Sequence, residues 1–174
     1  LLALGLTLAK MPAILSVLEP LKAEYTRVLA ARINPETELA DLLNRAIDPE
    51  APLAIKEGGL IRSGFNAEVD RLRSAAADGK DWIVELEARE REQSGIRNLK
   101  IGYNRVFGFY FEVTKSNLAQ VPEYFIRKQT LANSERYLTE ELKNMEATIL
   151  GAEQKLLNLE YELFSEIREQ LLAY

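Results

Sequence analysis

The sequence contains no cysteine and no histidine among its 174 residues. The first absence excludes disulfide frameworks and thiolate metal sites, and the second excludes imidazole ligands. Together they exclude every catalytic triad or dyad that needs either side chain. Any catalysis would have to rest on carboxylates, lysine, serine or tyrosine. Phosphate-binding loops are missing too: the glycine-containing stretches KEGGLIRSG and KIGYNRVFG carry neither a GKS/GKT ending nor a GxGxxG pattern. No hydrophobic run is long enough for a membrane span. The opening LLALGLTLA is too short and has no basic residues before it, so it reads as a buried helix rather than a span or a secretory signal. A first residue of Leu rather than Met leads us to expect a preceding segment, and the lack of cysteine agrees with a cytoplasmic protein.

What is present is a chain that is 47% hydrophobic and 28% charged, the composition of a globular protein. The net charge of −5 is unevenly distributed. Residues 97 to 136 hold seven bases, Arg97, Lys100, Arg105, Lys115, Arg127, Lys128 and Arg136, against three acids, Glu112, Glu123 and Glu135. This segment is therefore +4 and the remainder −9. Basic charge concentrated in one stretch of an acidic chain points to an anionic partner.

Residues 1 to about 65 read as several short helices punctuated by proline, with Pro12 and Pro20 each suited to a helix first turn and Asn34-Pro35 marking a break. Leu21, Tyr25, Val28, Leu29 and Arg32 recur at helical spacing, which predicts a face packed into a core. Residues 48 to 64, with Pro49, Pro52 and Gly58-Gly59, predict an irregular connection.

Beyond this point a heptad seam begins. Phe65, Val69, Leu72, Ala76, Gly79, Ile83 and Leu86 alternate spacings of four and three, and the pattern resumes at Leu142, Met145, Ile149, Ala152, Leu156, Leu159 and Leu163. Thr139 followed by Glu140 and Glu141 is a helix start signal. Two helices of roughly 30 residues, about 45 Å each at 1.5 Å per residue, are thus expected to pack antiparallel around an insert. Gly79 and Gly151 leave two readings open, a local break or a close approach of two backbones. The charges of ELEARERE, residues 85 to 92, read as a solvated face.

The insert changes period. Leu99, Ile101 and Tyr103, then Phe107, Phe109, Phe111 and Val113, alternate with other residues at period two, predicting two strands joined by a turn containing Asn104 and Arg105. A third strand is expected over residues 124 to 131 and a short fourth over 135 to 138. The odd-numbered aromatics belong in a core rather than stacked on bases, and no basic helix offers itself to a major groove. A basic sheet of this kind suits sequence-independent phosphate contacts.

The string LKIGYNRVFGFYFEVTKSN, followed by VPEYFIRKQTLANSERYLTEELK, closely resembles the clamp segment of the MutS family of DNA mismatch-repair proteins. IKEGGLIRSGFNAEVDRLR upstream and EQKLLNLEYELFSEIRE downstream are similar to lever sequence of the same family, so the resemblance covers essentially the whole chain.

The resemblance implies a fold that is mainly α with a small β insertion: a helical core, a long antiparallel two-helix lever arm and a small antiparallel β-sheet clamp at its tip. The expected organisation is a core segment over 1–65, lever helices over 66–98 and 138–174, and the clamp over 99–137. It further implies double-stranded DNA as partner, held by its backbone, and a second MutS subunit in the full-length dimer. ATP and Mg would belong to an ATPase domain outside these residues, with no cofactor, metal, membrane or small-molecule substrate here and no enzymatic activity. Location would be the bacterial cytoplasm, on the nucleoid when DNA is bound. Asn104, Lys128, Asn133 and Arg136 match family positions that approach phosphates, while Lys115, Arg105 and Arg127 are candidates by charge. Ala132 stands where some members carry Lys. Phe111-Glu112-Val113, lying within a strand, does not supply the family's mismatch-reading Phe-x-Glu motif. The alternative reading is a helical coiled-coil interaction module in which the insert's charges only keep it soluble.

Overall fold

A computed structural model describes residues 1–173; Tyr174, the last residue of the expected second lever helix, lies outside them. The helices are α1 (Leu2–Leu8), α2 (Met11–Leu18), α3 (Glu24–Arg32), α4 (Thr37–Ala46), α5 (Ala67–Ser94) and α6 (Glu140–Gln170). Between α5 and α6 come the strands β1 (Lys100–Asn104), β2 (Gly108–Thr114), β3 (Ile126–Thr130) and β4 (Ser134–Leu138). The chain is thus mainly helical with a small antiparallel sheet, as expected. It divides into two compact units, Leu1–Asp70 with the chain from Leu156 onward, and Arg71–Lys155.

The first unit is built on α4, whose Leu39, Leu43 and Ala46 are buried with Ile47, Leu60, Ile61, Val69 and Ile167. Ile47, at the end of α4, and Ile61 pair as an isolated antiparallel bridge that closes the connection over residues 48 to 64, which otherwise has a 3-10 turn at Ile55–Glu57. Gly58 and Gly59 both adopt positive φ, 75° and 70°, and a Cβ on Gly58 would lie 2.6 Å from Leu157 Cδ2. Opposite them the Glu160 carboxylate, fully buried, accepts the Gly59 N–H at 2.6 Å and the Leu60 N–H at 3.4 Å. Asn66 caps α5, its Oδ1 accepting from Glu68 and Val69 at 2.9 and 3.1 Å. Phe65 therefore precedes the helix.

Two expectations are corrected here. Pro12 does sit in the first turn of α2, but Pro20 falls in the turn after that helix and opens no new one. α3 starts only at Glu24 and buries no residue: Tyr25 is 81% exposed, and Leu21, Val28 and Leu29 are exposed as well. The apolar periodicity is real, but these residues contribute nothing to the unit's core.

In the second unit α5 and α6 run antiparallel, with Lys80 pairing with Glu153 at 2.8 Å and Arg89 with Glu141 at 2.5 Å. Thr139 caps α6 as expected, its Oγ1 accepting the Leu142 N–H at 3.1 Å. The seam residues Leu72, Ala76, Leu86, Leu142, Ile149 and Ala152 are buried. α5 continues unbroken through Gly79, where a Cβ would run into Ile149 Cγ1 and lie 3.0 Å from its Cδ1. The close-approach reading is the correct one at Gly79. Gly151 has nothing within 4 Å of its Cβ position and serves no such role.

The sheet order is β1-β2-β4-β3. Its inner face supplies Phe111, Val113 and Tyr137 to a core shared with Leu86, Ile96, Leu99, Phe125 and Leu142, with Trp82, Ile101 and Phe109 at the margin. Phe107 does not join that face. It lies in the three-residue turn between Asn104 and Gly108, 41% exposed, because Gly108 at φ 73° reverses the chain before the second strand starts. β3 begins at Ile126, two residues later than expected, since Tyr124 turns away to bond Glu90.

The close approach at Gly79 makes a direct prediction. Alanine should gain about 1 kcal/mol in helix propensity, yet overpacking against a β-branched neighbour costs about 1–3 kcal/mol. Gly79→Ala is therefore expected to lower stability in urea unfolding by about 1 kcal/mol, and to become neutral or stabilising in an Ile149→Ala background, where Cγ1 is gone.

Candidate nucleic-acid interface

Because side chains alternate along a strand, the sheet has a second, outward face. Pairing aligns Lys100, Glu112, Arg136 and Gln129 in one row across β1, β2, β4 and β3. On the same face the Tyr110 ring lies across Gly102, where a Cβ would be 2.8 Å from Tyr110 Cζ, and beneath Arg136, whose Cζ is 4.1 Å from the ring centroid. The Arg136 guanidinium also donates to Gln129 Oε1 at 3.0 Å and faces Glu112 Oε2 at 3.7 Å, while its buried Nε has no hydrogen-bond partner among the described residues. Stacking and pairing fix this guanidinium in place with donors remaining, a pre-set geometry for an oxyanion. Sequence reading picked out Arg136 but missed Gly102, Tyr110 and Gln129 as its supports. Their positions on alternate residues of neighbouring strands are a signal only once the register is known.

The other candidates fall in three places. Asn104 and Arg105 form the β1–β2 turn: Asn104 Oδ1 accepts the Val106 N–H at 2.8 Å and its carbonyl the Phe107 N–H at 3.2 Å. This leaves the Asn104 Nδ2 donors unengaged among the described residues. Asn133 lies in the β3–β4 turn, which closes through a Leu131 N–H to Ser134 O bond of 2.8 Å, and Lys115 joins it by donating its backbone N–H to Asn133 O at 3.1 Å. These two turns sit at opposite ends of the seven-residue strand β2, about 20 Å apart at 3.4 Å per residue. Lys128 lies at the irregularity between Arg127 and Gln129 in β3, beside Phe107 and Lys143 in a shallow groove. Arg127 lies nearby on the same strand, its Nη1 3.8 Å from Glu135.

The seven bases are therefore not equivalent. Arg127 and Arg136 are paired with Glu135 and Glu112. Arg97, Lys100, Arg105, Lys115 and Lys128 are exposed and have no ion-pair partner among the described residues. The run over residues 85 to 92 also needs correction. Glu87 and Arg91 form the expected i,i+4 pair, but Glu90 is only 4% exposed and accepts the Tyr124 hydroxyl at 2.6 Å. It faces the sheet unit's interior, not solvent. No group of three or more carboxylates able to hold a metal ion occurs among the described residues. No described helix is long and apolar enough to cross a membrane.

A four-stranded sheet inserted between two antiparallel helices, with cations spread over its edge strands and turns, defines an insertion module. The MutS family domain IV profile matches residues 64–155, more than half of the chain, and this chain belongs to the MutS family. It is 50% identical over 165 residues to the DNA mismatch repair protein MutS of Acetivibrio thermocellus, covering 95% of this chain and 19% of the relative. The MutS proteins of Ruminiclostridium cellulolyticum and Geobacillus kaustophilus are 52% and 53% identical over 98% and 97% of the chain. The chain spans about a fifth of the length of these curated relatives.

The inner-face carboxylate Glu135, 8% exposed, makes its own prediction. It accepts the Tyr137 hydroxyl at 2.6 Å, and burial together with this bond pushes the Tyr137 pKa up to about 12. An unfolded tyrosine ionises near pH 10, so between about pH 10 and pH 12 the unfolded chain loses a proton that the folded chain retains. The stabilisation is complete below that window and lost as pH rises through it. Tyr137→Phe should remove a tyrosinate absorbance step centred near pH 12 and flatten this part of the stability profile; an unchanged step would count against the arrangement.

Proposed function

We propose that this chain is the lever and clamp module of a MutS mismatch-repair protein, and that its sheet holds duplex DNA by the phosphate backbone without reading bases. The observation that carries this reading is the set of five exposed cations without an ion-pair partner among the described residues, Arg97, Lys100, Arg105, Lys115 and Lys128, spread over one small sheet unit. Asn104, Asn133 and the stacked Arg136 add hydrogen-bond donors between and beside them. Such groups neutralise and position phosphates, whereas nothing in the sheet unit has the geometry of a base-reading helix. A further set of roles follows from the family. A second MutS subunit supplies the opposing clamp, the continuous helices α5 and α6 relay engagement to an ATPase domain that binds ATP and Mg, and the assembly works in the bacterial cytoplasm on the nucleoid. The chain itself catalyses nothing and takes no small-molecule substrate.

The alternative, a heptad face that docks another protein, is disfavoured by burial. The seam residues Leu72, Leu86, Leu142 and Ile149 are already covered within the chain.

Titration of a fluorescent duplex between about 50 and 200 mM salt tests the proposal. Affinity should fall steeply with salt and vary little with base sequence. Replacing Arg105, Lys115 and Lys128 together by glutamine should reduce the slope of log K against log salt by about 2 to 3, close to 0.9 for each phosphate that is no longer neutralised. Binding insensitive to salt, or strongly selective among sequences, would overturn the reading.

A further inference from the structure

The turn that carries Asn104 and Arg105 is held in place from outside the sheet. β1 is an edge strand, and β4 covers β2 only from Phe111 onward, so Gly108, Phe109 and Tyr110 have no strand on their second side. The gap is filled by one side chain of α6. Glu146 Oε2 accepts the Phe109 N–H at 3.3 Å, and its carboxylate packs on the bare Cα of Gly108, where a Cβ would lie 2.5 Å from Glu146 Cδ. The internal bonds of Asn104 to Val106 and Phe107 set the shape of the turn but attach it to nothing else. Glu146 has no ion-pair partner among the described residues, although Lys128 and Lys143 line the same groove. Among those residues its bond to the strand is thus its one polar engagement.

We propose that Glu146 is a positioning residue for DNA binding: through Gly108 and Phe109 it fixes the direction in which Asn104 and Arg105 are presented to the phosphates. The proposal rests on the reading of the sheet as a DNA surface, and it carries an unusual sign. A carboxylate in this location repels phosphate, so on charge alone its removal strengthens binding. If it positions the turn, losing its acceptor weakens binding despite the gain in net charge.

Glu146→Gln and Glu146→Ala separate the two, because they change charge equally and only the glutamine keeps an oxygen able to accept the Phe109 N–H. Amide exchange at Phe109 should be about tenfold faster in Glu146→Ala than in the wild-type chain, and within about twofold of it in Glu146→Gln. At about 100 mM salt, Glu146→Ala should bind duplex about threefold more weakly than Glu146→Gln. Equal binding by the two variants, or identical Phe109 exchange in all three proteins, would remove Glu146 from this role while leaving the DNA reading intact. A wild-type chain that shows no salt-dependent duplex binding would instead bring down the DNA reading, and this proposal with it.

Discussion

The sheet depends on the burial of Phe111. Four strands of five to seven residues do not form a stable sheet alone in water and require an apolar body to cover one face. Phe111 lies on the central strand β2, fully buried, with the Phe125 ring 4.8 Å away and Tyr137 beyond it. The covering body comes from Leu86 of α5 and Leu142 of α6. These two leucines meet only because the helices are held side by side, and Gly79 against Ile149 sets how closely they approach. A sequence that breaks the helix pair therefore also uncovers the sheet, and every cation placed by a strand loses its position with it.

This dependence explains which features could be read from the sequence. Helix and strand periods were legible because each element buries one face, and burial repeats at 3.6 or 2 residues. The seam, the Thr139 cap and the alternation through Phe109, Phe111 and Val113 all follow from that rule. What periodicity does not convey is the partner of a face. Glu90 stands in a run of charges that resembles a solvated surface, and only the arrival of Tyr124 from a distant loop makes it an interior acceptor. Glu160 likewise reads as one more helix acid until the Gly58-Gly59 turn delivers two amides to it. Phe107 keeps the parity of its strand but stands before the glycine that starts it. α3 shows the same limit from the opposite side, since an apolar stripe states a preference for burial and not that these residues meet one another.

For the candidate site, charge and family resemblance singled out candidate residues without distinguishing their surroundings. The matched Arg136 is the most constrained of the seven, stacked on Tyr110 and faced by Glu112, whereas Arg105, Lys115 and Lys128 have no ion-pair partner among the described residues. The acids of the island explain the difference. Glu112 and Glu135 are spent inside the sheet unit, on Arg136 and on Tyr137 with Arg127. The positive charge left facing solvent is thus concentrated at the turns and the edge strand, which the net value of +4 does not convey.

Spacing then limits what kind of anion this surface can hold. The Asn104–Arg105 turn and the Lys115–Asn133 turn are about 20 Å apart, twice the Debye length of about 10 Å at 0.1 M salt. At that separation the two groups do not add their fields at a single point, so a small anion meets one of them and gains nothing from the other. A ligand that engages both must itself carry charge over the whole distance. A duplex, with one charge per about 1.7 Å of axis, presents roughly a dozen phosphates over that length, which matches the separation of the two turns in the proposed DNA reading. The dispersal of the cations, which would be a poor design for a compact anion, is what an extended backbone requires.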